Sequence, residues 1–76
     1  MPELALVVGF GTSGSAVARH LRDRGARVVA IDDAPTERTR ARANEAGVDL
    51  VEGPDLASLL SLVTRADVVV PSPGVP

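Results

Sequence analysis

The segment GFGTSG, residues 9–14, has the spacing G-x-G-x-x-G, which is typical of phosphate-binding turns. It directly follows a short apolar run, residues 4–8, that predicts a buried strand, and it opens a stretch with helical periodicity. At such a junction the first backbone N–H groups of the helix have no helical partner and are directed at an anion. The donors would be the N–H groups of Thr12, Ser13 and Gly14.

The three glycines of this segment have distinct predicted roles. Gly9 makes the tight turn, Gly11 lets a ligand approach the backbone, and Gly14 lets the helix pack closely on the strand. The alternative is a tight turn whose glycines serve packing alone. The strand–turn–helix context favours phosphate binding over that alternative.

Two carboxylates follow the second predicted strand. Asp32 lies 21 residues after Gly11, the separation at which dinucleotide sites place an acid on a ribose hydroxyl. A carboxylate here can accept hydrogen bonds from vicinal hydroxyls or from a base N–H. Asp33 can do the same or can cap the turn into the next helix. For both residues the alternative is an ordinary turn carboxylate at a strand end.

A third candidate segment, PSPGVP, follows the last predicted strand. Pro71 and Pro73 stiffen its backbone and remove two N–H donors, whereas Ser72 keeps a hydroxyl and Gly74 allows a close approach. Such a loop offers a few polar groups in fixed positions. The alternative is a proline-rich linker that ends the domain.

Strands and helices alternate regularly along the chain and would position these three segments. Leu4–Val8 is a continuous apolar run that predicts a buried strand, and mostly apolar segments predict three further strands at Arg27–Ile31, Val48–Val51 and Asp67–Val70. Strands that are apolar on both faces and separated by single helices form a parallel sheet covered on both sides.

Capping residues delimit three predicted helices. The first starts at Thr12 or Ser13 and ends before Gly25, the second runs from Pro35-Thr36 to Gly47, and the third follows Asp55. Apolar residues of the third helix recur at i, i+3, i+4 and i+7, which predicts an apolar face made of Leu56, Leu59, Leu60 and Val63.

The predicted fold class is therefore α/β: a Rossmann-like, doubly wound parallel sheet of four strands in order 3-2-1-4 with three helices. The first and fourth strands are then neighbours, and the direction of winding reverses between them. Ligands bind at this switch point, outside the carboxyl ends of the strands. The glycine segment, the two acids and PSPGVP all follow strands and so fall at those ends.

Size and composition exclude several other functions. The 76 residues allow one small domain, and 45% of them are apolar, so a core can form. The sequence contains no run of 18 apolar residues, which a membrane-spanning helix would need. Its net charge of −2 is not typical of a nucleic-acid-binding protein. The absence of cysteine fits a cytoplasmic protein and removes thiolate metal ligands.

The remaining polar residues are interpreted as surface groups. His20 has no second ligand-type residue at i+3 or i+4, and Arg38, Arg40 and Arg42 resemble a solvated helix face. The sequence contains no Ser–His–Asp set, no catalytic carboxylate pair and no metal-ligand cluster. We therefore predict that the 76 residues bind a ligand but contain neither a catalytic residue nor a metal ligand.

Two longer stretches, VVGFGTSGSAVARHLRDRGARVVAIDD and ADVVVPSPGVP, resemble the N-terminal domain of the Mur ligase family, in particular its D-glutamate-adding members. The glycine segment is shared with many Rossmann-like domains, whereas S-P-G-[IV] after an A-D-x-[IV]-[IV] strand is far more specific. The resemblance spans essentially the whole chain and implies a role in peptidoglycan synthesis.

The resemblance implies a domain that binds UDP-N-acetylmuramoyl-L-alanine for an ATP- and Mg²⁺-dependent ligase. Such ligases activate the substrate carboxylate as an acyl phosphate, which the amine of D-glutamate then attacks. The residues implied at the pyrophosphate are Thr12 and Ser13, with Gly11 and Gly14 shaping the loop. Those implied at the uridine are Asp32 and Asp33, with Ser72, Pro73 and Gly74 closing over the nucleotide.

The sequence also departs from the family pattern. Some members carry a basic residue two positions after the acid, where this chain has Ala34. The P-loop, the metal ligands and the central and C-terminal domains of the family are absent from the 76 residues. The resemblance therefore implies that residues 1–76 are one N-terminal domain of a longer ligase, without a fifth strand for its sheet.

Two other interpretations remain open. The first 70 residues also resemble the NAD-binding regulatory domains of potassium transport systems, in which Asp32 would bind the adenosine ribose. A dehydrogenase cofactor domain is the third possibility. Neither has an evident need for a Pro-Ser-Pro-Gly segment after the fourth strand, which favours the ligase interpretation.

Overall fold

The computed structural model describes residues 3–10 and 12–71, which form a four-stranded parallel sheet with three helices. The strands are β1 (Leu4–Val8), β2 (Arg27–Asp32), β3 (Asp49–Glu52) and β4 (Val68–Pro71). The helices are α1 (Thr12–Asp23), α2 (Glu37–Ala46) and α3 (Leu56–Arg65). The strand order β3-β2-β1-β4 confirms the predicted doubly wound arrangement. None of the helices in this described part is long and apolar enough to cross a membrane.

The two faces of the sheet are covered by different helices. Because side chains alternate along a strand, Ala5 and Val7 of β1 face α1 and α2, whereas Leu6 between them faces α3. Apolar side chains of β2 alternate in the same way, so both inner strands are buried on both faces. This burial explains why these strands are continuous apolar runs in the sequence.

Two glycines end the first two helices as predicted. Gly25 follows α1 with φ 91°, and Gly47 follows α2 with φ 69°, which is the left-handed region that favours glycine. The N–H groups of the next residues, Ala26 and Val48, donate back to carbonyls of the last helical turn at 3.0 and 2.9 Å. Each helix therefore ends in a Schellman-type turn that directs the chain into the following strand.

The predicted N-cap of α3, Asp55, is confirmed, whereas α2 begins at Glu37 and not at Pro35-Thr36, with Thr36 as its N-cap. Thr36 Oγ1 accepts a hydrogen bond from the Thr39 N–H at 3.2 Å, and Asp55 Oδ1 accepts one from the Ser58 N–H at 2.8 Å. Each bond gives a partner to an N–H group that the helix itself leaves without one. The backbone hydrogen bond from Ser58 also holds the pKa of the Asp55 carboxyl below its ordinary value.

Several predicted boundaries differ from the structure by one residue. β2 extends to Asp32, and the third and fourth strands each begin and end one residue later than their apolar runs. Pairing determines these ends, since Asp32 of β2 lies opposite Glu52 of β3 although neither is apolar. At the start of α1, Ser13 lies inside the helix, which begins at Thr12.

The predicted apolar face of α3 is wrong for three of its four residues. Leu59 packs against the sheet together with Leu62, but Leu56, Leu60 and Val63 are 71%, 57% and 42% exposed. The leucines and the valine of this helix form one broad stripe, and only the side of it that carries Leu59 and Leu62 packs on the sheet. Packing on the sheet selects one side of that surface, which a helical repeat of apolar residues cannot specify.

The fourth strand pairs with β1 alone within the described residues. Asp67, just before it, binds Leu4 at the start of β1 twice, since its N–H donates to the Leu4 carbonyl and its Oδ2 accepts from the Leu4 N–H, both at 2.8 Å. Along β4 itself, Val68 and Val69 are 37% and 44% exposed. Two hydrogen bonds therefore fix the start of β4 relative to β1, whereas the side chains along the strand are largely exposed.

Candidate functional site

A cavity of about 480 Å³ opens at the carboxyl ends of β1 and β2, beside the start of α3. This is the edge of the sheet at which doubly wound folds bind their ligands. Its lining residues are Val8, Gly9, Ile31, Asp32, Asp33, Ala34, Pro54 and Leu59.

The glycine segment enters this cavity through Gly9. Its N–H donates to the Ile31 carbonyl at 2.7 Å, which extends the pairing of β1 with β2 by one residue. At φ 88° the backbone then turns away from the sheet, a conformation that favours glycine. The next residue, Phe10, is 1% exposed in the core under α1 and α2. A buried aromatic ring therefore anchors the turn from below.

The two predicted acids line the cavity at the end of β2. Asp32 Oδ1 accepts a hydrogen bond from the Ala34 N–H at 3.1 Å, which closes a turn over Asp33. The Asp32 carbonyl accepts a second one from the Gly53 N–H at 2.9 Å. Asp32 is half-buried and Asp33 is exposed, so both can meet a ligand in the cavity. Negatively charged acceptors of this kind suit hydroxyl and N–H donors.

Other predicted site residues are only partly described. The backbone of Thr12, Ser13 and Gly14 forms the first turn of α1, and Gly14 is buried there. The side chains of Thr12 and Ser13 lie outside the described part of the structure. The same applies to the whole of Gly11, Ser72, Pro73 and Gly74.

Sequence reasoning missed two apolar residues that line the cavity, Pro54 and Leu59. Pro54 could have been found, because it follows β3 and therefore lies at the same edge of the sheet as the other candidates. Leu59 gave no comparable signal, since it is one of several leucines in α3. Together they add an apolar wall to a site that was predicted from polar and glycine residues.

Arg40 was interpreted as part of a solvated arginine face, and it is exposed, but its side chain is also paired. Its guanidinium binds Glu52 at the end of β3 through two hydrogen bonds, Nε to Oε2 at 3.0 Å and Nη2 to Oε1 at 2.8 Å. The hydrogen bond from Arg40 holds the pKa of the Glu52 carboxyl below its ordinary value. No local signal marks this pair, since its partners belong to different elements.

The cavity combines two carboxylate acceptors, the backbone of Gly9 and an apolar wall, which are features of ligand-binding sites. Among residues 3–10 and 12–71, no three His, Cys, Asp or Glu side chains are grouped so that they could hold a metal ion.

The curated relatives of this chain described here share one name. The chain is 42% identical over 72 residues to the UDP-N-acetylmuramoylalanine--D-glutamate ligase of Syntrophus aciditrophicus, covering 93% of the chain and 16% of that protein. It is 46% identical over 76 residues to the ligase of the same name from Nitratidesulfovibrio vulgaris strain DP4, covering 96% of the chain and 17% of that protein. The chain thus spans about one-sixth of the length of these relatives.

Among solved structures, the chain is similar to the apo-structure of D-lactate dehydrogenase from Escherichia coli. The match has a TM-score of 0.74 and 32% sequence identity, and it covers 99% of this chain and 21% of that one. This likeness agrees with the Rossmann-like fold described above.

The family comparison covers nearly the whole chain. Residues 3–76 match the family described as Mur ligase MurD-like, N-terminal domain. The match includes the glycine segment, both acids and the PSPGVP segment. The chain therefore belongs to the Mur ligase family, as a MurD-like N-terminal domain.

Proposed function

We propose that this chain is the substrate-binding domain of an ATP-dependent ligase that adds D-glutamate in cytoplasmic peptidoglycan synthesis. Its ligand would be UDP-N-acetylmuramoyl-L-alanine. The observation that carries the proposal is the cavity at the carboxyl edge of the sheet, which Gly9, Asp32 and Asp33 line together. The names of the relatives support the choice of ligand.

The chemistry of the ligand suits this cavity. The start of α1 would bind the pyrophosphate through the backbone N–H groups of Thr12, Ser13 and Gly14. Asp32 and Asp33 would accept hydrogen bonds from uridine hydroxyl or N–H groups, with Pro54 against an apolar face of the nucleoside. The segment Ser72–Gly74 follows β4, beside β1, and would close the site from the other side.

The ligation chemistry belongs to other parts of the longer protein in this proposal. The described residues offer no group of carboxylates or histidines for Mg²⁺, and the sequence has no G-x-x-x-x-G-K-[ST] segment for ATP. The central and C-terminal domains would supply both, together with the site for D-glutamate. The role left to this chain is to bind and orient the UDP-sugar.

A dinucleotide-binding domain is the second candidate. The likeness to a D-lactate dehydrogenase structure, at 32% identity, favours it, since Asp32 would then accept a hydrogen bond from an adenosine ribose. The family match over residues 3–76 and the names of the relatives favour the UDP-sugar instead.

Thermal unfolding with each ligand distinguishes the two candidates. At a concentration 100 times Kd, a ligand that binds the folded chain stabilises it by about 2.7 kcal/mol, which raises Tm by roughly 10–20 °C for a domain of this size. We expect this increase with UDP-N-acetylmuramoyl-L-alanine and none with NADH. Stabilisation by NADH alone would show that the dinucleotide candidate is right.

Replacing Asp32 by asparagine is expected to weaken binding of the UDP-sugar about 10- to 150-fold, because a hydrogen bond to a charged acceptor is lost. The asparagine carbonyl can still accept from the Ala34 N–H, so the turn is kept. Asp33→Asn should have a smaller effect, and Asp49→Asn, at the opposite edge of the sheet, none. Isothermal titration calorimetry measures the three affinities. Equal losses for Asp32→Asn and Asp49→Asn would refute the assignment.

A further inference from the structure

We infer that the ion pair between Arg40 and Glu52 is a positioning device that holds the acidic turn, residues 32–34, in its ligand-binding geometry. The inference rests on the proposed function, in which this turn contacts the uridine. Neither residue lines the cavity, so neither would contact a ligand held there.

The pair joins two elements on either side of the acidic turn. Arg40 lies one turn into α2, and its N–H donates to the carbonyl of the N-cap Thr36 at 3.0 Å. Glu52 is the last residue of β3. Its two hydrogen bonds to the guanidinium fix distance and orientation together, since both ends of the contact are planar. The start of α2 is therefore tied to the end of β3.

The first residue of the acidic turn, Asp32, is also attached to the end of β3. Asp32 pairs with Glu52 across the sheet, and its carbonyl accepts the Gly53 N–H at 2.9 Å. Residues 33–35 must then span from Asp32 to the N-cap Thr36. Because both ends of this short segment are attached to the end of β3, its path beside the cavity is fixed.

Stability alone does not account for the arrangement. Both side chains are about half exposed, at 50% and 46%, and exposed ion pairs contribute little to folding. A second ion pair, between Arg27 and Asp49 at 3.6 Å, joins the first residues of β2 and β3. Its side chains are more exposed than those of Arg40 and Glu52. It lies away from the cavity and makes a matched control.

Two single variants separate positioning from electrostatic attraction. Arg40→Gln makes the chain more negative and Glu52→Gln makes it less negative, but each breaks the pair. If the pair positions the turn, both variants should weaken binding of UDP-N-acetylmuramoyl-L-alanine by about two- to fivefold. If charge alone mattered, the two variants would change the affinity for this anionic ligand in opposite directions, which would overturn the inference.

The control and the rescue sharpen this test. Arg27→Gln should leave the affinity within experimental error of the unchanged chain. The exchanged pair Arg40→Glu with Glu52→Arg keeps the net charge and can form the same contact, so it should recover most of the lost affinity. Equal weakening by Arg27→Gln, or no recovery in the exchanged pair, would also overturn the inference.

Hydrogen exchange without ligand tests the positioning independently of the proposed function. The Ala34 and Gly53 N–H groups, which bond to Asp32, should exchange several-fold faster in Arg40→Gln and Glu52→Gln than in Arg27→Gln. Unchanged exchange in both pair variants would refute the inference. If the unchanged chain binds no UDP-sugar, the proposed function fails, and these exchange rates still decide whether the pair holds the turn.

Discussion

Replacing Phe10 by alanine is expected to lower the free energy of unfolding by about 3–5 kcal/mol. Phe10 is the one aromatic residue of the sequence and is 1% exposed, in the core cluster under α1 and α2 whose other buried residues are alanines and valines. A 76-residue domain has only a few kcal/mol of stability to lose. Urea denaturation followed by circular dichroism should therefore show a chain that is unfolded, or nearly so, without denaturant.

Two further variants show whether this loss comes from the buried ring. Phe10→Leu keeps most of the buried volume and should retain much of the stability. Leu60→Ala removes a side chain that is 57% exposed and should change the free energy of unfolding far less. A loss in Leu60→Ala as large as that in Phe10→Ala would mean that the apolar surface of α3 is more important than the core described here.

Replacing Gly11 by valine is expected to weaken binding of UDP-N-acetylmuramoyl-L-alanine severely. In the G-x-G-x-x-G pattern this glycine is the one at which the ligand approaches the backbone, so a branched side chain occupies the space of the phosphate. Steric overlap of 1–3 kcal/mol or more corresponds to at least a roughly five- to 150-fold weaker affinity. Calorimetric titration measures the loss, and circular dichroism checks that the variant is folded.

The matched control changes a glycine at the other edge of the sheet. Gly25 has φ 91°, and a Cβ built on it meets no atom within 4 Å. Gly25→Ala therefore strains the turn after α1 and lowers Tm without touching the site. Its affinity for the UDP-sugar should be unchanged. Unchanged affinity in folded Gly11→Val would instead refute the phosphate-binding role of the glycine segment.

The fold class and the strand order could be predicted from the sequence, because each strand lies in a mostly apolar segment that is ended by glycine, proline or an acidic residue. Alternating single helices then require a parallel sheet, and right-handed crossovers leave few strand orders. The position of the candidate site follows from the strand order, because doubly wound sheets bind ligands outside the carboxyl ends of their strands. Asp32 and Asp33 were predicted as ligand-binding residues, and both line the cavity at the carboxyl ends of the strands.

What could not be predicted depends on contacts between distant elements. Leu59 lines the cavity while Leu60 is exposed, although both are leucines in one helix, because the sheet decides which side of α3 packs. Arg40 and Glu52 are 12 residues apart and meet only when α2 packs beside β3. In neither case does local periodicity distinguish the residue from its neighbours.

The strand order has a consequence for how the chain is assembled during synthesis. β1, β2 and β3 follow one another in sequence and in space, so all three can pair once residue 52 has left the ribosome. The contact between Leu4 and Asp67 closes 63 residues of chain and cannot form until residue 67 has been made. The side of β1 that pairs with β4 is therefore without that partner while the intervening residues are made, and β4 joins after the other three described strands.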